Sequence, residues 1–231
     1  MLTGTTIRGI SSMATRQVLA ELSAAYRQRT GIAVAIESVG GVDAAKRVAA
    51  GEPFDVVILA ADAVDKLVAG GHAVAGSRVD LVRSGVGVAV RRGAARTDLS
   101  TEEALRAAVL AAPTIGYSTG PSGTALMKLF ERWGIAPQVA ERTVQAPPGV
   151  PVGSLVAEGK VALGFQQLSE LIHLDGIDVA GTMPEPVQIT TIFSGAVCTA
   201  SAQPQAVRDL LEFMASPETA AAKRRQGMDP A

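Results

Sequence analysis

The sequence predicts an α/β protein with a mostly parallel sheet, and three observations carry that expectation. Strand-type and helix-type periods alternate through the first sixty or so residues, and the run Phe54–Leu59 is apolar apart from Asp55. Aromatic residues make up 3% of a chain that is 48% hydrophobic, so the apolar mass is alanine, valine, leucine and isoleucine. Alternating βαβαβ segments build parallel sheets. A continuous apolar strand suits a position buried on both faces.

Taken in order, Thr6–Ile10 reads as a short strand running into Ser11-Ser12. Val18, Leu19, Leu22, Ala25 and Tyr26 then recur at helical spacing over about Ala14 to Arg29. Gly31 stops that helix, since glycine tolerates a left-handed backbone. Ile32–Ile36 is the next strand, Asp43–Ala50 a helix closed by Gly51, and Phe54–Leu59 the third strand. A helix over Ala63–Ala69 ends at Gly70-Gly71, and a long extended segment follows over Asp80–Val90. Ser100, with Glu103 three residues later, has the pattern of a capping box opening a helix. Pro113–Tyr117 is a strand, Ser118–Gly123 a loop of small residues, and Ala125–Trp133 a helix stopped by Gly134. Val152–Glu158 reads as helix, Val161–Phe165 as strand and Leu168–His173 as a short helix. Gln188–Thr199 is a second long extended segment, followed by helices over Gln205–Met214 and Glu218–Gln226.

The 231 residues suffice for one large α/β domain or two small lobes. The two long extended segments each separate one βαβ-like block from another, and each contains glycine. They fit two lobes, one discontinuous (1–82 plus 192–231) and one inserted between (83–191), joined by a two-strand hinge. They fit equally a single doubly wound sheet.

Composition excludes several classes of function. Lys+Arg 21 against Asp+Glu 22 gives a net charge of −1, without the basic surplus of a protein that binds nucleic acid through its phosphates. The single Cys198 rules out a disulfide scaffold. Cys198 beside Val197 reads as a buried hydrophobe rather than a thiolate nucleophile. No run approaches the ~20 apolar residues of a membrane span. No basic segment precedes an apolar stretch at the start, so the chain as written reads as cytoplasmic, and as periplasmic if an export signal has been removed from it. No metal-ligand cluster or nucleotide-phosphate motif is present, and no cofactor is expected.

Chemistry is expected where parallel strands end, because ligands of open α/β sheets bind outside the carboxyl ends of the strands. Three such ends carry hydroxyls or glycines: Ser11-Ser12, Gly40-Gly41, and Ser118 with Ser122-Gly123-Thr124. Each precedes a helix, so backbone N–H groups and the positive helix end favour an anion without any lysine or arginine. The same residue types also cap helices and form turns, and the grouping of three is what points to a ligand. Gln166-Gln167 with Ser169 and Glu170 follows an apolar strand and offers amides and one carboxylate. Arg8 is a candidate fixed charge beside Ser11, and Asp62 a cap for the helix after the third strand.

Several of these stretches, in this order, resemble the type 2 periplasmic binding-protein fold. They are ISSM (10–13) before an amphipathic helix, GIAVAIESVGG (31–41), AAGEPFDVVILAAD (49–62), VPVGSLVAEGKVALGF (150–165) and SPETAAAKRRQGM (216–228). The subgroup most similar is the molybdate-binding components of ABC importers, with aconitate isomerase-like proteins as relatives. The resemblance spans essentially the whole chain and implies the two-lobed arrangement. It implicates Ser12 with Ser11, Gly40-Gly41, Ser122-Gly123 and Val152-Gly153 in holding an oxyanion. The chain departs from the molybdate binders by carrying Gly40-Gly41 where they tend to have serines, and Phe165-Gln166 where they have tyrosine.

The expected function is therefore a monomeric solute-binding protein whose lobes close over a small anion, a molybdate-type oxyanion or small carboxylate. An ABC permease is its partner if it is exported. One alternative is a cytosolic isomerase or tautomerase of a small polycarboxylate such as aconitate, with Glu170 as the base. Another is an intracellular ligand sensor.

Overall fold

The first parallel pair aligns Ile7 of β1 (Ile7–Ser12) with Val34 of β2 (Val34–Val39) in the computed structural model, which describes residues 6–231. Between them a 3-10 turn (Met13–Thr15) leads into α1 (Arg16–Thr30), which Gly31 ends at φ 77°, the left-handed cap expected from the sequence. After β2 come α2 (Gly41–Ala49), β3 (Val56–Ala60) and α3 (Ala61–Ala69), with β3 parallel to the other side of β1. The first strand thus runs two residues beyond its expected end, which makes Ser11 and Ser12 part of the strand. Likewise β2 lies two to three residues later than expected. Its polar Glu37 and Ser38 are accommodated because only β1 pairs with β2 and its burial alternates.

The long strand β4 (Val79–Arg91) follows, then α4 (Glu102–Ala111), β5 (Ile115–Tyr117), α5 (Pro121–Arg132), α6 (Ala136–Val139) and β6 (Thr143–Gln145). Next are α7 (Val152–Ala157), β7 (Leu163–Gln167), α8 (Leu168–Leu171), β8 (Ile177–Thr182) and β9 (Thr190–Val197). The cap of α4 is Thr101, whose side chain accepts the Ala104 N–H. Ser100, expected there, gives its N–H to Asp98 instead. Strands β6 and β8 were not expected from the sequence, for neither contains an uninterrupted apolar run. The chain closes with α9 (Pro204–Ala215), α10 (Ala220–Arg225) and the two-residue β10 (Asp229–Pro230).

Compactness divides the described chain into two units: residues up to Arg83 together with Ile192–Ala231, and Ser84–Thr191. In the first, β2-β1-β3 are parallel and β9 adds antiparallel to β3. In the second, β6-β5-β7 are parallel, and β4 runs antiparallel to both β7 and β8. Each unit is therefore built on a parallel trio. Antiparallel pairing enters through the long strands β4 and β9, and the short β10 also pairs antiparallel with β4.

Strand alternation builds two apolar layers in the first unit. Val56, Ile58 and Ala60 of β3 face Val18, Leu19 and Leu22 of α1 and Leu210 and Leu211 of α9. Val57 and Leu59 face Ala44 and Val48 of α2 and Val64 and Leu67 of α3. Each such large side chain contributes about 1.5–3 kcal/mol by leaving water. In the second unit Val86, Val88, Ile115 and Phe165 pack with Leu105, Leu126 and Phe130. On the other face Ala89 packs with Val152, Val156 and Leu171.

Candidate functional site

Within each unit the strands of a parallel trio end on the same side, and helices start there. In the first unit β1 ends at Ser11-Ser12. Successive strand residues point to opposite faces, and the parallel register sets Ser11 beside Ser38 of β2, their hydroxyl oxygens 2.8 Å apart. The Thr15 hydroxyl donates to the Ser12 carbonyl at 3.0 Å. The Ser12 hydroxyl is buried and has no hydrogen-bond partner, a state that costs free energy unless a ligand relieves it. Against Ser12 lies the start of α2: a side chain added at Gly41 would place its Cβ 3.7 Å from Ser12 Cβ. Gly40 is the cap of α2 and supplies no side chain, so the first-turn N–H groups have no side-chain acceptor from that position. The structure thus brings Ser11, Ser12, Gly40 and Gly41 together, and adds Ser38. That residue had a legible signal, since parallel pairing of the two strands places the second serine beside the first.

Arg8 is exposed on β1, and its backbone N–H donates to the Asp55 carboxylate at 2.9 Å. One expectation in this unit is corrected: Asp62 caps no helix. Ala60 holds the cap position, while Asp62 lies in the first turn of α3, exposed, with Lys66 3.9 Å away.

In the second unit β5 leads through Ser118 to α5, which begins at Pro121, four residues before its expected start. Ser122, Gly123 and Thr124 are therefore in the first turn of a helix and not in a loop. The Ser118 and Ser122 hydroxyls lie 3.2 Å apart. Gly123 is required, because a Cβ there would overlap the Ser118 carbonyl oxygen. Thr124 faces solvent on α5 and is not gathered with the others. Val152 is wholly buried beneath Gly116 and Gly164, so its side chain is core and only its backbone is offered to a ligand.

Gly153 gives its N–H to the Gln166 side-chain oxygen at 3.3 Å, and the Gln166 amide nitrogen donates to Glu170 Oε2 at 2.8 Å. Both glutamines belong to β7 itself, paired with Gly87 and Val86 of β4. Gln167 donates to Thr191 at 2.9 Å while its amide oxygen is buried without a partner. Burial pushes the Glu170 carboxyl up to about 7, against the smaller opposing effect of the Gln166 amide. A carboxyl so poised exchanges protons near neutral pH, which fits acid–base work. Cys198, by contrast, is buried and its thiol is pushed up to about 12, in line with a packing role.

Among the described residues, no helix is long and apolar enough to cross a membrane. Residues 7–229 match the family described as bacterial extracellular solute-binding protein. An aconitate isomerase of Pseudomonas sp is 38% identical over 232 residues, covering 98% of this chain and 88% of that one. The periplasmic molybdate-binding protein of Azotobacter vinelandii superposes with a TM-score of 0.80 at 21% identity, covering 96% of this chain and 98% of that one. The sulfate-binding protein SubI of Mycobacterium tuberculosis H37Rv gives 0.79 at 16% identity, covering 98% and 87%. The two structures carry the type 2 periplasmic binding-protein fold, and with the family match over nearly its whole length the chain belongs to the bacterial extracellular solute-binding proteins.

Proposed function

We propose that this protein binds a small anion, a carboxylate or molybdate-type oxyanion, held by hydroxyl and backbone N–H donors at the carboxyl ends of its parallel strands. The observation that carries the reading is the buried, unpartnered Ser12 hydroxyl against the start of α2, whose cap brings no side-chain acceptor. Hydroxyl and backbone N–H donors of this kind favour negative charge through the helix dipole and the N–H groups together, against the Asp43 carboxylate in the first turn of α2. The names of the solved relatives, molybdate- and sulfate-binding, support an oxyanion, and that of the isomerase supports a carboxylate. The family's description supports a setting outside the cytoplasm and an ABC permease as partner. We further take the protein to be a monomer, which light scattering measures directly.

The test is a thermal-shift screen of molybdate, tungstate, sulfate, phosphate, citrate and cis- and trans-aconitate on the native protein and Ser12→Ala. At 100-fold excess over Kd a bound anion stabilises by about 2.7 kcal/mol, a shift of several degrees. A shift with one anion class, diminished in Ser12→Ala, supports the reading; no shift with any of the seven removes it.

A second reading, isomerisation of a small unsaturated polycarboxylate, is favoured by two observations: the 38% identity to an aconitate isomerase and the Glu170 carboxyl at about 7. In that reaction a base removes a proton from the carbon next to a carboxylate. Backbone donors stabilise the enediolate, and the proton returns at the far end of the allylic system. Proton NMR of cis-aconitate incubated with the protein tests it. Turnover lost in Glu170→Gln with binding kept within a few-fold supports Glu170 as the base, and turnover retained in that variant eliminates it.

A further inference from the structure

Glu170 differs from the other candidate site residues in being ionisable, and its surroundings hold it in one arrangement. Its Oε2 takes a hydrogen bond from the Gln166 amide, 2.8 Å away. That amide has a fixed sense, because its oxygen accepts the Gly153 N–H at 3.3 Å. Turning it over would set an amide donor against a backbone donor. Gly153 in turn sits close against Leu171 and Leu174, which leave no room for a Cβ there.

Groups of the second unit that pack near α8 include apolar and neutral ones. From β7 come Gln166 and Gln167, from α7 Gly153, and from β4 Gly87 against Leu168 and Leu171. The ionisable residues next along the chain, His173 and Asp175, are exposed. The influences on the Glu170 carboxyl are burial and the Gln166 amide, with no charge of another residue among them. With Oε2 engaged by Gln166, Oε1 remains for a ligand.

We propose that the Gln166–Glu170 pair couples anion binding to a proton: Glu170 holds the ligand as the neutral acid, donating its hydrogen to a ligand oxygen, so that one anion is taken up together with one proton. The inference rests on the small-anion reading above and adds to it a charge rule. An ionised Glu170 repels the anion, whereas the neutral acid is one more donor at the carboxyl end of β7. No bond other than the O–H of the carboxyl is made, and the proton comes from solvent.

The experiment is isothermal titration of the native protein with trans-aconitate and with molybdate, from pH 6 to 9. At pH 8 it is repeated in two buffers of different ionisation enthalpy. Proton uptake approaching one per ligand is expected at pH 8, with Kd flat below pH 7 and rising about tenfold per pH unit above it. Glu170→Gln should show no uptake and a flat profile. Gln166→Met, which removes the donor that favours the ionised form, should move the break in the profile to higher pH. The ligand-free protein gives an independent readout, since the Glu170 carboxyl carbon should titrate near 7 by NMR.

Binding of either probe by the native protein with no proton uptake overturns the coupling and leaves the small-anion reading standing. A Glu170 titration below pH 5 in the ligand-free protein overturns it as well. Failure of the native protein to bind either probe, or any anion of the thermal-shift screen, removes the small-anion reading and the coupling with it.

Discussion

In the first unit the trio β2-β1-β3 ends in serines and glycines: Ser11 and Ser38 satisfy one another, and Ser12 is left without a partner. In the second unit the trio β6-β5-β7 has the same order of central and flanking strands. Its ends, however, are largely occupied from within. Ser118 is paired with Ser122, the Gly153 N–H with Gln166, and Gln166 with Glu170. One scaffold thus carries two chemistries, a fixed neutral donor set and a titratable one. The difference teaches that strand order positions a site, while its chemical character follows from which polar groups the neighbouring strand and helix already satisfy.

The largest expected effect breaks the comparison at its glycines. Gly123→Ala would drive a Cβ into the Ser118 carbonyl oxygen, a backbone atom that cannot step aside. It should destabilise the protein by about 4 kcal/mol or more in urea unfolding. Gly40→Ala in the first unit meets only the Asp43 carboxylate at 3.5 Å and should stay within about 0.5 kcal/mol of native. Equal losses in both variants would erase the distinction between the two ends.

Next in size is the dependence of stability on pH. The Glu170 carboxyl is raised from 4.5 to about 7 in the folded protein. Its contribution is therefore fully present below about pH 4.5 and is lost as pH rises through 7, where the half-buried carboxyl ionises. The loss is about 2–3 kcal/mol over that window, and Glu170→Gln should flatten that part of the profile. A native profile identical to that of the variant between pH 4.5 and 7 would contradict the raised Glu170 carboxyl.

Ser12→Ala sharpens the comparison because its two effects have opposite sign. Removing an unsatisfied buried hydroxyl should leave the ligand-free protein as stable as before, or more stable by up to about 1 kcal/mol. Anion affinity should fall by about 0.5–3 kcal/mol, the range for neutral to charge-assisted hydrogen bonds. Parallel loss of stability and affinity would mark Ser12 as a packing residue. The smallest effect is expected for Ser122→Ala, where Ser118 loses its partner at about 0.5–1.5 kcal/mol in thermal unfolding.

Much of the scaffold was legible from local pattern. The alternation of periods located β1, β3, α1 and α3 to within a few residues, and the left-handed glycine that ends α1 follows from backbone sterics alone. The Phe54–Leu59 run, apolar but for Asp55, announced a strand covered on both faces, which β3 is. Features that depend on pairing were not legible. Strands β6 and β8 have too little apolar sequence to stand out and are defined by β5 and β4 beside them. Gln166 and Gln167 belong to β7 because β4 pairs with them, although their polarity argues locally for a strand already ended.

For the candidate site the division is the same. The sequence alone determined that hydroxyls, glycines and helix starts follow the strands, since residue type and period are local properties. Only the tertiary structure decided that Ser11 is satisfied by Ser38 while Ser12 is not, that Thr124 faces water, and that Glu170 is buried enough to hold its proton near neutral pH. Hydrogen-bond satisfaction and desolvation depend on groups tens of residues away in the chain, and register and packing alone bring those groups together.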